Sequence, residues 1–157
     1  MNMKTGQRRN HFVWLLIAAL AFNMGCNEDD EQTMDPTLYT RLGGIEAISA
    51  VTDKFLTNVA SDGAINARFE AAVANPSRLQ VLRNNLIDQI CAGSGGPCQY
   101  KGKSMVEAHT GMNITTAEFT ALVGDLVAAL DFYDVPEKEK NDLLAVLGPM
   151  QSDIVGK

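Results

Sequence analysis

Few side chains in this 157-residue chain are equipped for chemistry, and their scarcity narrows the field. It has two histidines, His11 and His109, and three cysteines, Cys26, Cys91 and Cys98. A single imidazole beyond the N-terminal leader, without a dense carboxylate cluster, is too little for a closed zinc site. No nucleophile–His–acid arrangement presents itself. Gly93-Ser94-Gly95-Gly96 lacks both the following Lys and the preceding strand of a phosphate cradle. His109 can act as one axial ligand to a metal, or it can be an ordinary surface or satisfied core histidine. Met105 stands one helical turn earlier on the same face, in a short segment bounded by Gly102 and Gly111. The net charge of -6 argues against nucleic acid, whose phosphates require a basic face.

The N-terminus reads as an address. Lys4, Arg8 and Arg9 precede an apolar run of 11 residues from Phe12 to Phe22, followed by Asn23-Met24-Gly25-Cys26. That is a signal-peptide pattern over residues 1–25, and it falls short of the roughly 20 apolar residues of a stable span. Gly25-Cys26 with the acidic Asn27–Gln32 stretch behind it resembles a bacterial lipoprotein, whose Cys is lipidated. Asn23 and Met24 depart from the aliphatic and small residues of that pattern. Cleavage after Ala19-Leu20-Ala21 is the alternative, and it would release a soluble protein. The expectation is an exported protein on the periplasmic side of a bacterial membrane, anchored through Cys26, with residues 26–36 as an acidic tether. His11 leaves with the leader. So do three of the 13 basic residues and none of the 19 acidic ones, which makes the remainder -9.

The elements that must position His109 are helical. Ile45, Ile48, Val51, Phe55 and Val59 predict a helix over 45–59 behind Gly43-Gly44, and a short apolar segment follows around Ile65 and Phe69. Ser77 is the expected cap of a helix carrying Leu79, Leu82, Leu86 and Ile90, which ends at the Gly-rich turn before Pro97. A short helix is expected over 103–110. Thr115 with Glu118 forms a capping box for the helix of Phe119, Leu122, Leu126 and Leu130. Asp134, Pro136 and Glu137 open the last helix, through Leu143, Leu144, Leu147 and Met150. Nothing alternates with period two, so residues 37–157 read as one all-α domain without internal repeats.

Four segments in order carry a family resemblance. Leu38-Tyr39-Thr40-Arg41-Leu42-Gly43-Gly44 looks like the opening of a group I truncated haemoglobin. Gly95-Gly96-Pro97-Cys98-Gln99-Tyr100-Lys101-Gly102 resembles its second Gly-Gly turn and Tyr-x-Gly. Met105-Val106-Glu107-Ala108-His109-Thr110-Gly111 resembles the segment of the proximal haem ligand, and Ile114-Thr115 through Phe119 the start of the next helix. The resemblance runs from about Leu38 to Val155. It implies a globin-like, truncated two-over-two helical sandwich clasping haem b, with His109 as proximal ligand of a pentacoordinate iron. Phe69 takes the place of the Phe that packs on the haem face. Tyr100, Met105, Ile114, Phe119, Leu122 and Leu147 match positions that line the haem, with plain core packing as the alternative for each. Lys101 and Lys103 either meet the propionates or form a solvated surface pair. No Cys-x-x-Cys-His suggests covalent attachment.

The distal side departs from the family. Leu56 follows Phe55 where a Tyr is frequent, and counting back from Gly95-Gly96 puts Leu82 and Leu86 at the two distal positions of the next helix. A register shifted by a turn brings in Asn84, Asn85 or Gln89 instead. An apolar pocket still takes CO and NO, but O₂ loses a charge-assisted hydrogen bond of about 1.5–3 kcal/mol. The resemblance therefore implies a binder of diatomic gases (O₂, NO or CO) suited to gas sensing, NO chemistry or electron exchange with a donor. Tight oxygen storage is less expected. Nitric oxide dioxygenase or weak peroxidase side activity is compatible with this; a dedicated peroxidase needs a distal acid–base pair. The competing reading is a globin-like lipoprotein without haem, serving as an interaction module. Cys91 and Cys98 flank the Gly-rich turn and are either a disulfide of an exported protein or two free thiols.

Overall fold

The computed structural model describes residues 35–157. The signal peptide at 1–25, the lipidation site Cys26 and nearly all of the tether at 26–36 lie outside the described residues. The described chain is helical. Its only β pairing is an isolated parallel bridge between Ile114 and Val155.

Helix α1, Leu38–Arg41, is capped by Thr37, whose hydroxyl accepts from the Thr40 N–H. Gly43 and Gly44 follow at φ 93° and 76°, a left-handed turn that residues with a Cβ rarely adopt. It launches α2, Gly44–Ser61, which buries Ile48, Val51, Thr52, Phe55 and Val59 along one face. Thr52 is tolerated there because its hydroxyl donates to the Ile48 carbonyl at 2.8 Å. A 3-10 turn, Asn66–Arg68, and a single turn of helix, α3 (Glu70–Val73), cover the short apolar segment.

Helix α4, Pro76–Gly93, starts two residues earlier than Ser77 would allow as a cap. Asn75 is the cap, its Oδ1 accepting from the N–H groups of Ser77 and Arg78, with Pro76 in the first turn. Helix α5, Met105–His109, opens on a capping box between Ser104 and Glu107. Thr115 and Glu118 form a second box opening α6, Thr116–Phe132. Helix α7, Glu137–Leu147, is preceded by Asp134 in a left-handed turn (φ 52°) and capped by Pro136 without a side-chain bond, so Asp134 does not cap it. The last helix is also shorter than its apolar stripe predicts. Pro149 has no N–H to continue the ladder, so the chain passes through a 3-10 turn, Gly148–Met150, into α8, Gln151–Ile154.

Helix α2 packs on both α4 and α6, and α4 touches α7, giving two helix pairs laid one over the other. Between them Val59, Ile87, Ile90, Ala129, Leu130 and Leu143 form one core. Leu130, Leu143 and Val59 are each about 1% exposed, worth roughly 1.5–3 kcal/mol apiece in burial. Arg41 ties α1 to α7 through Glu139 at 3.0 Å and through Asp142.

Candidate functional site

His109 closes α5 as its last residue and is half-buried. Its Nδ1 lies 2.8 Å from the Met105 carbonyl oxygen, one turn earlier. A carbonyl can only accept, so Nδ1 carries the proton and the lone pair of neutral imidazole is left on Nε2. That is the form in which a histidine ligates a metal, its ring oriented by the bond at the other nitrogen.

The segment leading to α5 is held by small, specific devices. Cys91, at the end of α4, is bonded to Cys98 across the glycine-rich turn. A Cβ on Gly96 would stand 2.7 Å from Cys91 Sγ, so only glycine lets the chain pass the bridge. The Tyr100 ring folds onto Gly102, where a Cβ would collide with the phenol, and Tyr100 Oη donates to the Lys103 carbonyl at 2.8 Å. Burial raises the Tyr100 pKa. Ser104 hydrogen bonds, side chain first and then backbone, lower that of Glu107, which fixes the helix start. Lys101 and Lys103 are exposed.

The residues expected around a haem fall into two sets. Leu56, Phe69, Leu86, Leu122 and Leu147 are half-buried along the edge of the main core and pack against it. Tyr100, Met105, His109 and Ile114 belong to the α5 stretch, and Phe119 is half-buried in the first turn of α6. Leu82 stands apart, half-buried in an open groove with Asn75, Ser77, Arg78, Val81 and Asn85. The α4 side chain that bonds into the α5 stretch is Gln89. Its Nε2 donates to the thioether sulfurs of Met105 at 3.5 Å and Met150 at 3.0 Å. Met150 is thus a site neighbour that its place on the last helical stripe does not reveal. The break at Pro149, which turns it, was the available signal. A separate half-enclosed apolar cavity of about 240 Å³ lies between α2, α4, α6 and α7, lined by Leu42, Ile48, Val51, Ile90, Leu130 and Leu143. None of its lining residues was singled out from the sequence as a haem neighbour.

No group of three or more His, Cys, Asp or Glu able to hold a metal ion occurs among the described residues. A single half-buried imidazole, bonded at Nδ1 and so left with Nε2 to ligate, instead fits a metal that brings its other ligands with it, as haem iron does.

Residues 37–155 match the family model described as bacterial-like globin. The chain is 31% identical to a group 1 truncated hemoglobin of Tetrahymena pyriformis, over 77% of this chain and 96% of that protein. It is 29% identical to one from Mycolicibacterium paratuberculosis, over 75% of this chain and 83% of that one. The crystal structure of the Tetrahymena pyriformis protein in its Fe(III) form superposes with a TM-score of 0.71 at 31% identity, covering 78% of this chain and all of that one. Truncated haemoglobins carry haem b, and the donor set around His109 fits it. The chain therefore belongs to the bacterial-like globins and, within them, to the group 1 truncated haemoglobins.

Proposed function

We propose that this protein is an exported globin that binds diatomic gases at the iron of haem b, with His109 as the proximal ligand. The observation that carries the reading is the bond from Nδ1 to the Met105 carbonyl, which frees Nε2 for a metal and orients the ring. Haem held by His109 would supply the iron that takes O₂, NO or CO. The chain supplies the rest. Leu56, Leu86, Leu122 and Leu147 present an apolar edge that excludes water, and Phe69 stands beside them. No Tyr or His stands at Leu56 or Leu86, the expected distal residues that pack at the core edge, which favours gas sensing, NO chemistry or electron exchange with a donor over tight oxygen storage. The Cys91–Cys98 bond supports export, since such bonds persist where the surroundings are oxidising. The N-terminal lipoprotein-like pattern supports attachment through Cys26.

Absorption spectra test the proposal. Purified protein supplied with haem should give a Soret band that shifts on reduction and again on adding CO, and His109→Ala should lose the reduced spectrum of a histidine-bound iron. No Soret band with haem supplied would sink it. Mass measurement of the membrane fraction tests the anchor: lipid on Cys26 supports it, and a soluble chain beginning after Ala21 overturns it.

A further inference from the structure

Burial does not hold the helix that carries His109. Helix α5 contributes no buried residue, and the element it packs against most is α8, almost at the end of the described chain. The chain then returns to the residues just behind His109. The Gly156 N–H donates to the Ile114 carbonyl at 2.9 Å, and the Asn113 N–H donates to the Lys157 carbonyl at 2.6 Å. Between these bonds Ile114 and Val155 form the parallel bridge. Ile114 and Ile154 are 7% and 8% exposed, yet both stand outside the main core cluster, so the strap has an apolar anchorage of its own. A continuous line of bonds then runs back to the histidine. The His109 carbonyl accepts from the Met112 N–H at 3.0 Å, and the Met112 carbonyl accepts from Arg68 Nη1 at 2.9 Å.

From this geometry we infer that residues 154–157 are a strap that sets the pose of His109, making Gly156 a positioning residue for the iron ligand. The inference rests on the haem reading above. Two left-handed residues make the strap possible, Asn113 at φ 48° and Gly156 at φ 72°. Glycine adopts the angle at 156 without strain, and its N–H is a donor that a proline there would remove. With the upstream end of α5 fixed by the Ser104 cap, the strap governs the remaining freedom, the tilt and advance of the helix that aims Nε2. A histidine held off its preferred line would bind haem iron under strain, and that strain would change the affinity for a diatomic gas.

The test uses the full chain loaded with haem. Gly156→Pro removes the donor and forbids the positive φ. It should shift the iron–histidine stretching frequency of the ferrous protein in resonance Raman spectra and change the CO association rate about threefold or more. Removing Lys157 takes away the acceptor of the Asn113 N–H while leaving the Gly156 N–H in place, and should shift both in the same direction by less. In a His109→Gly background with imidazole supplied, the ligand is no longer joined to the chain, and Gly156→Pro should then leave the CO rate unchanged. A normal Soret band with unaltered frequency and CO rate in both strap variants would overturn the strap alone, and so would a rate change that persists with free imidazole. Absence of a Soret band in the unaltered protein would instead overturn the haem reading.

Discussion

The two walls of the candidate haem site are built by different physics. The wall of α2, α4, α6 and α7 is held by burial: α2 alone buries five side chains, and Leu130 and Leu143 are sealed at about 1% exposure. The wall that carries His109, from Tyr100 to Ile114, buries one side chain, Ile114, and stands on two capping boxes, a disulfide, a folded tyrosine and a strap. Burial is non-directional and strong in sum, so it fixes a scaffold that tolerates substitution of one apolar residue by another. Hydrogen bonds and caps are weak singly but directional, so they suit the side where one ring nitrogen must be aimed. The cost of that choice is a site that loosens before the scaffold does.

The contrast is broken most forcefully in the core. Leu130→Ala should destabilise the fold by about 2–5 kcal/mol, read as a lower urea midpoint by circular dichroism. Met105→Ala, beside His109 on the other wall, should cost much less stability while accelerating haem loss. Equal stability losses would mean that the two walls share one core. The bridge joins the walls and comes next. Cys91→Ser with Cys98→Ser should cost about 2–3 kcal/mol on the loop-entropy model, and reduction of the unaltered protein should cost the same. If reduction leaves the urea midpoint in place, the turn is held by its glycines rather than by the bond.

The two walls also differed in how far the sequence disclosed them. Periodic Ile, Leu and Val residues disclose helices because burial acts on residue type, and α2, α4 and α6 follow their stripes closely. Ends governed by single bonds were less legible. Asn75 displaced Ser77 as a cap because Pro76 fits the first turn behind it, and the last stripe was cut at Pro149 although its apolar residues continue to Met150. His109 stood out as a candidate ligand through scarcity and resemblance, but the carbonyl that orients it is backbone, which composition never reveals. The reach of Gln89 to Met105 and Met150 depends on three elements meeting, so no local pattern announces it. The strap was invisible for the same reason: it pairs residues about 40 positions apart through backbone atoms.

On the burial wall, chemistry can be added without disturbing the frame. Leu56 packs at the core edge, and Leu56→Tyr would bring a phenol donor to the distal side. The O₂ dissociation rate should fall about tenfold to hundredfold, the kinetic face of about 1.5–3 kcal/mol of charge-assisted hydrogen bonding. CO dissociation, which gains little from a donor, should change far less. An O₂ off-rate already slow in the unaltered protein, and unmoved by the substitution, would show that a polar group such as Gln89 supplies the donor.

The smallest effect separates the walls by acidity. Glu118 has its pKa lowered from 4.5 to about 2, first by the hydrogen bond from Arg68, then by the Thr115 N–H and hydroxyl. Arg68 Nε stands 2.7 Å from that carboxylate, and Thr115 N and Oγ1 each 2.8 Å. A carboxylate depressed by folding stabilises the native state fully above its ordinary pKa of 4.5, and this contribution is lost as pH falls towards 2. What is lost is local, because Glu118 caps α6 directly behind the strap and Arg68 also holds the Met112 carbonyl. Acid should therefore release haem from the His109 wall before it unfolds the helices. The gap between the Soret and circular dichroism midpoints should narrow in Glu118→Gln, whose amide forms the cap without titrating. Coincident midpoints in the unaltered protein would mean that protonation at this corner reaches the core at once, and that the two walls melt as one.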